Sequence, residues 1–81
     1  MHDLISNIDR LHTTDMGGGR IVRNLNLAMD TDVITLCRDM ILSPNACMKR
    51  RGKNYYVTSR GCIITINTMS FTVITAHPEK R

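Results

Sequence analysis

Tryptophan is absent, and Tyr55, Tyr56 and Phe71 are the only aromatic residues among 81. A core with so few rings must rest on Ile, Leu, Val and Met. Glutamate occurs once, at Glu79, and the six aspartates are scattered through residues 1–44. That leaves no cluster of acids for two-metal catalysis. The three cysteines, Cys37, Cys47 and Cys62, are odd in number and form no C-x-x-C pair. No zinc-ligand spacing joins them to His12 or His77. No apolar segment follows Met1-His2-Asp3 as a secretory leader requires, and no apolar run approaches the roughly 20 residues of a membrane span. The expectation is a cytoplasmic protein with reduced thiols, no metal, no cofactor and no place in a membrane.

The length accommodates one small domain, residues 1–81, near the lower limit of what folds alone. A core of that size leaves a homodimer open. The formal net charge of +4 is unevenly distributed. Residues 1–44 carry four arginines against their six aspartates, whereas residues 45–81 carry seven lysines and arginines against Glu79. A basic half of this kind suits an anionic partner, most simply RNA or another nucleic acid.

Leu4, Ile5, Ile8 and Leu11 recur at helical spacing and predict a first helix over His2–Leu11. Gly17-Gly18-Gly19 is costly inside a helix and reads as a flexible turn or frayed helix start, and most simply as a plain linker. With no GK[ST] after it and no strand before it, it is not a P-loop. A short helix then carries Arg20 and Arg23 on one face. A third, Asp32 to Leu42, has Asp32 as cap and a stripe of Val33, Leu36, Cys37, Met40 and Ile41, and ends before Pro44.

From Ala46 the period changes to two. Lys49 to Lys53 reads as a basic edge strand. Tyr55–Thr58, Cys62–Asn67 and Phe71–His77 are β-branched runs separated by Ser59-Arg60-Gly61 and Thr68-Met69-Ser70. Helices followed by adjacent strands predict an α+β fold, with two or three short N-terminal helices packed on a four-stranded antiparallel meander. Which face of that sheet meets the helices is left open by the blurred alternation. Thr75 and His77 should share a side.

His12 and His77 are suited to moving a proton at a ribose 2′-OH or a leaving oxygen. Arg20, Arg23 and Lys53 can stabilise charge on a phosphate in flight, with Thr75 as a hydroxyl donor. Lys49, Arg50, Arg51 and Arg60 can hold a backbone of phosphates. Of the adjacent Tyr55 and Tyr56, one belongs to the core and the other is free to stack on a base.

The segments LHTTDMGGGRIVRNL, RRGKNYYV, GCIITIN and FTVITAH resemble a small bacterial and phage domain family of unknown function, over nearly the whole chain. More coarsely, the plan is similar to the barnase–EndoU–colicin D–RelE group of RNases. That resemblance implies His12 as the early histidine, Arg20 and Arg23 as the helical cations, Lys53 as the strand base, and Thr75 with His77 as the terminal pair. The triple glycine ahead of Arg20 departs from that plan. The function it implies is a metal-independent endoribonuclease of toxin or phage type, leaving a 2′,3′-cyclic phosphate. The alternatives are a non-catalytic nucleic-acid binder, or an anti-CRISPR-like inhibitor that docks on a protein partner. An antitoxin or a host nucleoprotein would be such a partner.

Overall fold

A computed structural model describes residues 3–79; Met1, His2, Lys80 and Arg81 lie outside them. The elements run α1 (Asp3–Ser6), a 3-10 turn (Ile8–Arg10), α2 (Asp15–Leu25), α3 (Val33–Ile41), then β1 (Cys47–Arg51), β2 (Asn54–Ser59), β3 (Cys62–Asn67) and β4 (Val73–Pro78). The four strands form one antiparallel sheet in sequence order. The α+β meander is therefore the observed architecture.

Two tight turns set the register. Gly52 (φ 59°) takes the first central position of a two-residue β1–β2 loop, as a type II′ turn requires. Arg60 and Gly61 both have positive φ (53° and 74°), which is the type I′ pattern between β2 and β3. With those registers, Tyr55, Val57, Ile64, Ile66, Val73 and Ala76 point to one side and are buried. Leu4, Leu11, Ile21, Cys37, Met40 and Ile41 from the helical half close over them. Fully burying each such aliphatic contributes about 1.5–3 kcal/mol. Ser59 on the same side donates its hydroxyl to the Met40 carbonyl at the end of α3 (2.7 Å).

Three sequence expectations need correction. The first helix is not continuous. It stops at Ser6, where Ser6-Asn7 favour turn hydrogen bonding over helix, and resumes as a 3-10 turn. Leu4 and Leu11 still reach the core, whereas Ile5 is 41% exposed.

The triple glycine is not a linker. All three glycines lie inside α2, which Thr14 caps by accepting the Gly17 N–H (3.0 Å). At the other end, Asn26 in the left-handed region ends the helix in a Schellman pair, Asn26 N–H to Arg23 O and Leu27 N–H to Val22 O. Low helix propensity is overridden by packing. A Cβ on Gly17 would stand 2.6 Å from Thr13 Oγ1, 3.1 Å from Thr14 Oγ1 and 3.5 Å from the Val73 carbonyl.

The last strand begins two residues later than its pattern suggests. Phe71 sits at φ 58° with its ring buried under the Arg10 guanidinium (4.8 Å to the centroid). A register shift between Thr65 and Ile66 then makes Ile74 an extra residue in β4. Phe71 and Val73 therefore face the core, while Thr75 and His77, paired with Thr65 and Ile63, share the opposite side.

Gly17→Ala is expected to destabilise the fold by about 1–3 kcal/mol through overpacking at Thr13. Gly18→Ala, whose Cβ meets only Thr13 Cγ2 at 3.6 Å, should stabilise it by about 0.5–1 kcal/mol through helix propensity. Urea denaturation of the two variants measures both; equal effects would contradict the seating of α2.

Candidate nucleic-acid interface on the open sheet face

Among the described residues, the helices pack on one side of the sheet and no element covers its other face. Strand pairing arranges that face in rows. The row nearest the β1–β2 turn runs Arg51, Asn54, Asn67, Thr72, and His12 continues it through a parallel bridge to Thr72. The middle row is Lys49, Tyr56, Thr65 and Thr75. The far row is Cys47, Thr58, Ile63 and His77. Rows two residues apart are separated by about 7 Å, and strands by about 4.8 Å. No aspartate or glutamate stands in any row, so the two cations face no competing carboxylate there.

Cys47, Lys49, Arg51, Tyr56, Thr58 and Ile63 line a hollow of about 370 Å³ on this face. The Asn54 amide donates to the Tyr56 hydroxyl (3.4 Å), fixing the ring beside the two cations. At the β4 side, Asn24 of α2 donates to Thr75 Oγ1 (3.3 Å) and to the Ala76 carbonyl (3.2 Å).

His12 is held from both ring nitrogens. Nδ1 lies 2.9 Å from the Arg10 carbonyl, which can only accept, so Nδ1 carries the proton. In the neutral ring Nε2 is then the acceptor and the Thr72 hydroxyl donates to it at 3.0 Å, and Thr72 Oγ1 in turn lies 2.7 Å from Ser70 Oγ. Asn67 Oδ1 anchors the turn that presents Ser70 by accepting from the Met69 and Ser70 N–H groups (2.8 and 3.0 Å).

The residues singled out from sequence do not all meet here. Lys49, Arg51, Tyr56, Thr75, His77 and His12 are on the open face. Tyr55 is not; at 4% exposure it belongs to the core, and Tyr56 is the ring available to stack. Arg50 is exposed but has the opposite strand parity. Lys53 is in the β1–β2 turn, where its carbonyl accepts the Thr68 N–H (2.8 Å), at the same end of the sheet as His12. Arg60 is at the opposite end. Arg20 and Arg23 are carried by α2, where Arg23 lines a separate hollow of about 590 Å³ between α2 and α3. His77, bonded to the Pro78 carbonyl (3.0 Å), is five residues beyond Thr72 along β4. The two histidines are therefore roughly 15 Å apart and do not form one acid–base pair.

Sequence reasoning missed Asn54, Asn67, Thr58, Ser70 and Thr72. The strand period of two, which puts Asn54 and Thr58 on the side of Tyr56, was the available signal for the first and third of these. Among the described residues, no group of three or more His, Cys, Asp or Glu side chains is placed to hold a metal ion. Nor, among them, is any helix long and apolar enough to cross a membrane.

The family model described as "Protein of unknown function (DUF3781)" matches residues 5–77. The chain belongs to that family. No curated protein and no solved structure matches it. The DUF3781 match covers every row of the open face, from His12 to His77.

The three thiols of this DUF3781 chain are free and differ in environment: Cys37 is buried, Cys62 half-buried and Cys47 exposed beside Lys49. Burial pushes the Cys37 thiol from its ordinary 9.0 up to about 11. The unfolded chain therefore loses that proton first, and Cys37 costs stability as pH rises from 9.0 towards 11, with its contribution intact below. Maleimide titration of the native protein should modify Cys47 first and Cys37 only after denaturant is added. Native-state labelling of Cys37 would contradict the packing of α3.

Proposed function

We propose that this protein binds single-stranded RNA on the open face of its sheet. The observation that carries the reading is the acid-free array of Lys49, Arg51, Asn54, Tyr56, Thr58 and Asn67 on an uncovered surface. Cations that track phosphates and an aromatic ring that stacks on a base are the two parts of sequence-tolerant single-strand binding. Asparagine side chains beside that ring supply donors and acceptors for exposed base edges, which a duplex keeps paired. Three free cysteines suit the reducing cytoplasm in which such a ligand is met.

Fluorescence anisotropy with a labelled RNA dodecamer tests it. Affinity should fall linearly in log–log form with salt. Lys49→Ala with Arg51→Ala should lower that slope by about 0.7 for each phosphate the protein no longer neutralises. Tyr56→Ala should weaken binding about tenfold or more, in line with roughly 1–3 kcal/mol per stacked base. Wild-type affinity in both variants would overturn the reading.

A second reading, metal-independent cleavage of the bound RNA through a 2′,3′-cyclic phosphate, is supported by one observation. The Arg10 carbonyl fixes the tautomer of His12 so that Nε2 is the basic nitrogen. Nε2 would take the 2′-OH proton in place of the Thr72 proton as the 2′-oxygen bonds to phosphorus. The P–O5′ bond breaks, the 5′-oxygen leaving with a proton from water, with Lys53 and Arg51 at the same end of the sheet to meet the phosphate. The coarse likeness to the barnase–EndoU–colicin D–RelE plan favours the same histidine. If RNA is cut, His12→Ala should reduce the rate by about 10²–10⁴-fold while His77→Ala leaves it near wild type. An equal fall in rate in both variants would contradict this assignment.

A further inference from the structure

The two edges of the sheet are treated differently. Along β4 three outward groups are taken: the Val73 N–H donates to the His12 carbonyl (2.7 Å), the Val73 carbonyl accepts from Thr13 Oγ1 (2.8 Å), and the Ala76 carbonyl accepts from Asn24. Along β1, among the described residues, no backbone group outside β2 forms a hydrogen bond to the strand. The type II′ loop decides which groups are left over. The pair flanking a two-residue loop is hydrogen-bonded, and bonded and non-bonded pairs alternate from there. Arg51–Asn54, Lys49–Tyr56 and Cys47–Thr58 are therefore the bonded pairs. Met48 and Arg50 direct their N–H and C=O groups outward.

We infer that the free edge of β1 docks an extended acidic segment of a partner protein, which adds a fifth strand to the sheet. Main-chain bonding to Met48 and Arg50 would supply the ladder, and Lys49, Arg50 and Arg51 would supply the selectivity. Charge disfavours the simplest competitor, a second copy of the chain. Two β1 edges pairing about a two-fold axis would place Lys49, Arg50 and Arg51 of one copy among those of the other, and like charges across a ladder are destabilising. The same three cations that repel a second copy are complementary to carboxylates on an incoming strand. Nucleic acid offers no backbone N–H and C=O row to complete this edge. The main-chain edge is therefore a different feature from the open face, although Lys49 and Arg51 would serve both.

The probe is an octapeptide of alternating valine and glutamate added to the ¹⁵N-labelled full chain, with amide exchange followed by NMR. Binding should slow exchange at the Met48 and Arg50 amides tenfold or more. N-methylating one alternate set of peptide residues should weaken binding at least tenfold, and methylating the other set should leave it unchanged, because only one set faces the ladder. Equal binding by both methylated peptides, or by a valine–lysine peptide, would overturn the inference. So would slowing of the same two amides by RNA, or by raised protein concentration without peptide, which would assign the edge to nucleic acid or to a second copy.

Discussion

The close seating of α2 against β4 at Gly17 is the constraint from which the rest of the molecule follows. With only hydrogen at that position there is room for the Thr13 hydroxyl, which a Cβ would meet at 2.6 Å, to bond the Val73 carbonyl, and Asn24, farther along α2, reaches the Ala76 carbonyl. That contact fixes α2 beside β4, closes one edge of the sheet and brings Ile21 into the core. Among the described residues, the helices lie on one side of the sheet and no element covers the other. The polar face and the β1 edge are what remains, and their composition is basic.

Much of this was legible in the amino-acid order. The Arg60-Gly61 turn between two β-branched runs is a strong local signal, whereas Gly52-Lys53, which reads as the end of a basic strand, proves to be the β1–β2 turn after a strand that stops at Arg51. Asp32 as a cap and Pro44 as a stop similarly bound α3. Local signals mislead where tertiary contact overrides them. Gly17-Gly18-Gly19 reads as a break because helix propensity carries no information about the close approach that selects glycine. Phe71 reads as strand because it is aromatic. Its positive φ becomes tenable only through the buried ring, the Arg10 cation and main-chain bonds to Asn67 and His12.

The candidate site was legible in part, for a related reason. Charge asymmetry marks Lys49 and Arg51 without any fold. Tyr55 and Tyr56 cannot be told apart until the hairpin register assigns one to each face. The histidines are harder still. Their separation depends on a parallel bridge between His12 and Thr72, which are 60 residues apart, and no periodicity reports it. Once placed, His12 sits at the end of the polar face with a defined tautomer, and His77 becomes a peripheral member of the far row. The DUF3781 family model fixes membership and leaves chemistry to be read from these rows.

The central claim is that the uncovered sheet face, rather than the helical side, is the ligand surface. An NMR titration of the labelled protein with single-stranded RNA tests it most directly. The account predicts that shifts concentrate at Lys49, Arg51, Asn54, Tyr56, Thr58 and Asn67 and leave the hollow between α2 and α3 unmoved. Shifts centred on Val22, Arg23, Met29 and Ile34, with the sheet face silent, would contradict it.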